Sequence, residues 1–171
     1  MSKKNQNLNQ PRPPRTIQEL KTAAHHLRYE REMLEFTGAR LTGNPHPINL
    51  DYAVLMESFL IHARNLNEFF YGLEMDSKGK RLRLNDVIAE DFFDPQIPWV
   101  KPQDKRLPDT PRQQINDQLA HLTYAREVGK YDDWDFQDIR QRMNGLVDSF
   151  FQAVAPDKVE PLAFTPMSYF V

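Results

Sequence analysis

The stretch NLDYAVLMESFLIHARNLNEFFYGL, residues 49–73, decides the fold class. Within it Leu55, Phe59, His62, Leu66, Phe69, Phe70 and Leu73 fall three or four positions apart, the spacing that lines side chains along one face of an α-helix. Asn49 or Asp51 can accept hydrogen bonds from the first free N–H groups and cap it. A helix this apolar reads as the central one of a bundle, and the chain on either side supplies the neighbours.

Upstream, Thr16 and Glu19 have capping-box spacing, and Leu20, Ala24, Leu27, Arg31 and Leu34 recur on one face, predicting a helix to about Arg40 that Gly43, Pro45 and Pro47 stop. Downstream, residues 76–83 lack apolar periodicity and set Lys78, Lys80, Arg81 and Arg83 around Gly79, which reads as an exposed basic loop. Asn85 is placed to cap a short helix through Phe92 or Phe93. From Asp94 to Thr110 the prolines at 95, 98, 102 and 108 forbid regular structure, and Ile97, Trp99 and Val100 are the expected anchors of that loop on the bundle. Thr110, Pro111 and Gln113 open a further helix that runs to about Val128 before Gly129. The last long helix starts near Asp132 or Asp133 and carries Phe136, Ile139, Met143, Leu146, Val147, Phe150 and Val154 as its apolar stripe, with Pro156 just past its end. There is no internal repeat and no alternating strand pattern. The expectation is an all-α chain: four long helices plus one short helix in an up-down bundle, forming a single domain over 16–171. A polar, basic tail over 1–15 precedes it, and an aromatic tail over 156–171, with Phe164, Tyr169 and Phe170, packs on the bundle or on a second subunit.

Composition narrows the function classes. A chain of 171 residues with 40% hydrophobic residues suffices for one core, and its net charge of -2 gives no global field to attract nucleic acid. Cysteine is absent, which excludes disulfides, thiolate metal sites and a cysteine nucleophile. No apolar run approaches the roughly 20 residues of a membrane span, so the expectation is a cytoplasmic protein without membrane contact. There is no Gly-rich phosphate loop, no Glu-x-x-His pair of the di-iron kind and no His-Glu-x-x-His helix, and no cofactor or metal is expected. His25 and His26 point about 100° apart on one helix and do not chelate a metal together. Asp132, Asp133, Asp135 and Asp138 sit at a helix start, where the macrodipole alone favours carboxylates.

The strongest polar constellation is Asn116, Asp117, His121 and Tyr124. Asp117 and His121 are i and i+4, so the carboxylate can fix the imidazole tautomer and raise its basicity, as a general base requires. Tyr124 lies on the same face. The same four residues also read as a polar network satisfied between helices. His62, inside the apolar stripe of residues 49–73, reads as a satisfied core histidine. The alternative is that its helix faces the one bearing His121, with Asn65 or Arg64 completing a site there. In the basic loop, Lys80, Arg81 and Arg83 are candidate phosphate contacts, though no aromatics are interleaved as a single-strand groove requires.

A helical bundle whose late helix carries a short polar motif ending in histidine resembles the HEPN superfamily of prokaryotic ribonucleases and their relatives. The hallmark of that family is an arginine, usually followed by a polar residue, and a histidine after four to six intervening positions. Asn116 stands at the arginine position, Asp117 is the polar residue and His121 the histidine. The resemblance implies a homodimer and a metal-independent endoribonuclease site in which the arginine holds the scissile phosphate and the histidine moves the proton of the attacking 2′-hydroxyl. Asparagine carries no charge, so the substitution implies a degenerate site. Arg64, or an arginine from a second subunit, is placed to restore the cation. Arg112 is about 180° around the helix from His121, and Arg40 to His46 spans a turn. Two functions follow: a toxin-type ribonuclease using His121, Asp117, Asn116 and Arg64, and a binding or regulatory module, HEPN-like or unrelated, that takes RNA, a nucleotide or a protein.

Overall fold

A computed structural model of the chain describes residues 13–43, 49–72, 86–108, 115 and 134–159. Their regular structure is helical, with no strand among them: α1 (Ile17–Gly43), α2 (Leu50–Tyr71) and α3 (Phe136–Ala153), plus single 3-10 turns at Ala89–Phe92, Gln103–Lys105 and Pro156–Lys158.

The capping box at the start of α1 is formed. The Thr16 N–H donates to Glu19 Oε2 at 2.8 Å and the Glu19 N–H donates to Thr16 Oγ1 at 3.2 Å. Those bonds, from the Thr16 backbone first and its side chain second, hold the Glu19 carboxyl below the usual carboxylate range. Leu20, Ala24, Leu27 and Leu34 are buried as their spacing requires. Arg31, on the edge of that stripe, turns to α3 instead, donating to Asn144 Oδ1 at 3.2 Å and pairing with Asp148 at 2.9 Å. Asn49 caps α2 by accepting from the Tyr52 N–H at 2.9 Å. Asp135 caps α3 through the Asp138 N–H at 2.8 Å, two or three residues later than the expected start.

Packing directions follow from which residues meet. Glu30 reaches His62 while Gly38, two turns on, abuts Phe59, so α1 and α2 are antiparallel. Arg31 meets Asp148 while Gly38 meets Arg140, so α3 also runs against α1. The rings of Phe59 and Phe136 meet at one end, and those of Phe69 and Phe150 at the other, which makes α2 and α3 parallel. Phe150 is the hub of the core. It has no solvent exposure, and its ring lies 5.1–5.9 Å from those of Phe69, Phe70, Phe92, Phe93, Trp99 and Phe151. Edge-to-face geometry of this kind adds about 0.5–1.5 kcal/mol per pair beyond burial.

Two expectations need correction. The short helix ending at Phe92 is one 3-10 turn, Ala89–Phe92, with Asp91 accepting the Ile88 N–H at 3.3 Å. Asn85 lies outside the described residues. In the Pro-rich loop Trp99 is buried, but Ile97 and Val100 are 74% and 80% exposed, and the second anchor is Leu107 at 1%. An irregular chain crossing a bundle turns only some side chains inward, and Trp99 offers more apolar area than its neighbours. The Leu107 N–H is received by Oδ1 of the buried Asn67 at 3.2 Å, which satisfies two polar groups that would otherwise be stranded. Of the helix expected over 110–128, only Ile115 is described, and it is helical and 1% exposed. Beyond α3, Lys158 donates to the Phe92 carbonyl at 2.6 Å and Val159 packs on the core.

Candidate functional site

Asn116, Asp117, His121, Tyr124, Lys80, Arg81 and Arg83 lie outside the described residues. Of the expected site, Arg64 and Asn65 on α2 are described, with His62 beside them. Arg64 Nε donates to Glu68 Oε1 at 2.8 Å, one turn along its own helix. Asn65 Nδ2 donates to Glu30 Oε2 at 3.1 Å, and the same oxygen lies 2.7 Å from His62 Nδ1. His62 and Arg64 point about 200° apart around α2 and do not converge.

Glu30 is the residue that sequence reasoning passed over. It continues the three-four progression of Leu20, Ala23, Leu27 and Leu34, so a carboxylate there points towards the packed side of α1 and needs a donor. His62, at the matching position in the stripe of α2, is that donor. Because a carboxylate only accepts, the arrangement places a proton on Nδ1 of His62. The side chains of His62 and Glu30 are 11% and 22% exposed, and the Tyr29 ring stands edge-on to the imidazole at 5.7 Å. Chemically this is a carboxylate–imidazole pair shielded by an aromatic ring. It is well built to hold two helices in register, and it opens onto no described cavity.

A cleft among the described residues lies elsewhere. It has a volume of about 320 Å³, lies at the start of α1, and is lined by Arg15, Leu20, Ala23, His26, Val87 and Asp91 among others. Its apolar floor is flanked by a weak ion pair, Arg15 Nε to Asp91 Oδ2 at 4.0 Å. Arg15, counted by its sequence with the basic tail, thus belongs to the folded edge of the domain. His25 and His26 are both exposed, their rings 6.3 Å apart, and only His26 borders the cleft. Among the acids near the start of α3, Asp135 is the cap, and Asp138 accepts from Arg142 Nε at 2.6 Å. That hydrogen bond raises the already high pKa of Arg142. Asp132 and Asp133 lie outside the described residues.

No helix among the described residues is long and apolar enough to cross a membrane. Compared with known proteins, the chain matches no family model, no curated protein and no solved structure.

Proposed function

We propose that this chain is a HEPN-like helical bundle that acts by binding: a regulatory module with a degenerate ribonuclease-type site, of the kind found in prokaryotic defence or toxin–antitoxin systems. Two aspects of the packing support the frame. The parallel α2 and α3, both antiparallel to α1, fit an up-down set of four long helices in which a helix over 110–128 makes the return from one to the other in chain order. Ile115 is buried and helical, as such a helix needs.

The observation that carries the binding reading is the state of the cation. Arg64, the candidate the sequence offers for the charge missing at Asn116, is bound to Glu68 at 2.8 Å, and its neighbour Asn65 is bound to Glu30. A phosphate approaching Arg64 would therefore do so beside the Glu68 carboxylate. Loss of one preorganised transition-state donor costs about 10²–10³ in rate, which by itself reduces a ribonuclease of this type to a weak one.

The test is cleavage of a mixed RNA pool with EDTA present, by the wild-type protein beside His121→Ala. Neither protein is expected to cut above background, while RNA, nucleotide or protein binding persists in the wild type. Chelator-resistant cleavage that disappears in His121→Ala would establish instead a metal-independent endoribonuclease using His121, Asp117 and Asn116.

A further inference from the structure

The α1/α2 hairpin buries one face against α3 and leaves apolar side chains on the other. Tyr29, Phe36, Leu50, Val54 and Ile61 are 43%, 53%, 79%, 58% and 47% exposed. Tyr29 and Phe36 are two turns apart on α1, and Leu50, Val54 and Ile61 follow four- and seven-residue steps on α2, so each set forms one line. Tyr29 and Ile61 are the chain neighbours of the bonded pair Glu30 and His62, which places the two lines on either side of one seam. Exposed apolar side chains gathered on one face in this way mark interaction sites.

The charges on the rim of this patch are mostly of one sign. Among the described residues Glu32, Asp51, Glu57 and Glu68 lie along the two lines, against Arg40 and Arg64. Arg40 lies over the Phe36 ring at 3.7 Å, and Arg64 is paired with Glu68.

We propose that this face docks a cationic amphipathic helix of another polypeptide. Its apolar residues, at i, i+4 and i+7, would lie along the seam between Tyr29 and Ile61, with lysines or arginines on its flanks meeting the carboxylate rim. The rim argues against the other occupants. A second copy of this chain would set like charge against like charge, and RNA or an anionic lipid surface would bring phosphate to carboxylates. The inference is independent of the reading of His121, since none of these residues belongs to that motif.

The experiment titrates the full-length protein against a fluorescein-labelled peptide of repeated Leu-Lys-Lys-Leu units, and against the same peptide with glutamate in place of lysine. Saturable binding of the lysine peptide alone is expected, weakened about tenfold or more by Ile61→Lys or Val54→Lys. It should be unchanged by Ile97→Lys, which adds the same charge at an exposed apolar site on the Pro-rich loop. Circular dichroism confirms that each variant is folded. The double variant Glu32→Lys and Glu57→Lys should move the preference towards the glutamate peptide, a reversal that loss of structure cannot mimic. Equal binding of both peptides, equal loss in Ile97→Lys, or no binding at all overturns the proposal. So does a dimer of the free protein that Ile61→Lys dissociates, and so does binding of RNA or phosphatidylserine vesicles through the same residues.

Discussion

Helix α1 has two polar seams, and they differ in their access to water. Against α2 it presents Glu30 to His62 and Asn65, with the paired side chains 22% and 11% exposed. Against α3 it presents Arg31 and Glu35 to Arg140, Asn144 and Asp148, where the Arg31–Asp148 pair is 36% and 51% exposed. The bonds are similar in kind and length, but a buried partner cannot be replaced by solvent whereas an exposed one can. The first seam therefore specifies how α1 and α2 register, and the second mainly keeps a wet edge soluble. Gly38 sits where the two meet. A Cβ there would lie 2.8 Å from the Phe59 ring and 3.0 Å from Arg140 Cδ.

Replacement tests this contrast, beginning with its strongest element. His62→Ala empties a buried ring position and strips Glu30 and Asn65 of their arrangement, so chemical denaturation should register a loss of about 3 kcal/mol. A loss below about 1 kcal/mol would mean that the buried seam is no more important than the exposed one. Gly38→Ala should cost about 2 kcal/mol, although alanine is the better helix former by roughly 1 kcal/mol, because Phe59 has no exposure and cannot move aside. The same substitution on α3, Gly145→Ala, meets only the end of the Lys105 side chain at 2.7 Å, which can swing into solvent. It should leave stability unchanged or raise it by about 0.5 kcal/mol, and an equal loss at both glycines would refute the steric argument. Asp148→Ala is expected to cost no more than about 0.5 kcal/mol, a difference that should vanish in high salt.

The smallest effect is a pH dependence at the start of α1. The Glu19 carboxyl titrates lower folded than unfolded, so its contribution is present above the ordinary carboxylate range and is lost as pH falls from there through the lowered folded value. Thr16→Ala should remove this acid-side dependence together with the cap. Identical stability-versus-pH curves for wild type and Thr16→Ala below neutrality would exclude it.

Much of the framework was legible one helix at a time. Asn49, the Thr16/Glu19 pair and the Phe136-to-Val154 stripe name their caps and buried faces through local rules of spacing and hydrogen bonding, which need no knowledge of the partner. The loop was less legible: Trp99 goes in while Ile97 and Val100 stay out, because a run without regular structure has no period from which to read direction. Glu30 was missed for a different reason. Its partner is 32 positions away, and only the pairing of α1 with α2 makes the carboxylate and the imidazole neighbours.

The sequence by itself determined that the described residues form helices, where α1 and α2 begin, and most of the stripes that α1, α2 and α3 bury, since these depend on propensity, capping and periodicity within about one or two turns. Only the tertiary structure decided that His62 answers Glu30, and that among the described residues the α1/α2 pair turns one face to α3 and leaves apolar side chains exposed on the other. Each of these depends on what lies across a helix interface or on the relative orientation of two helix faces, and neither is encoded in the spacing along one helix.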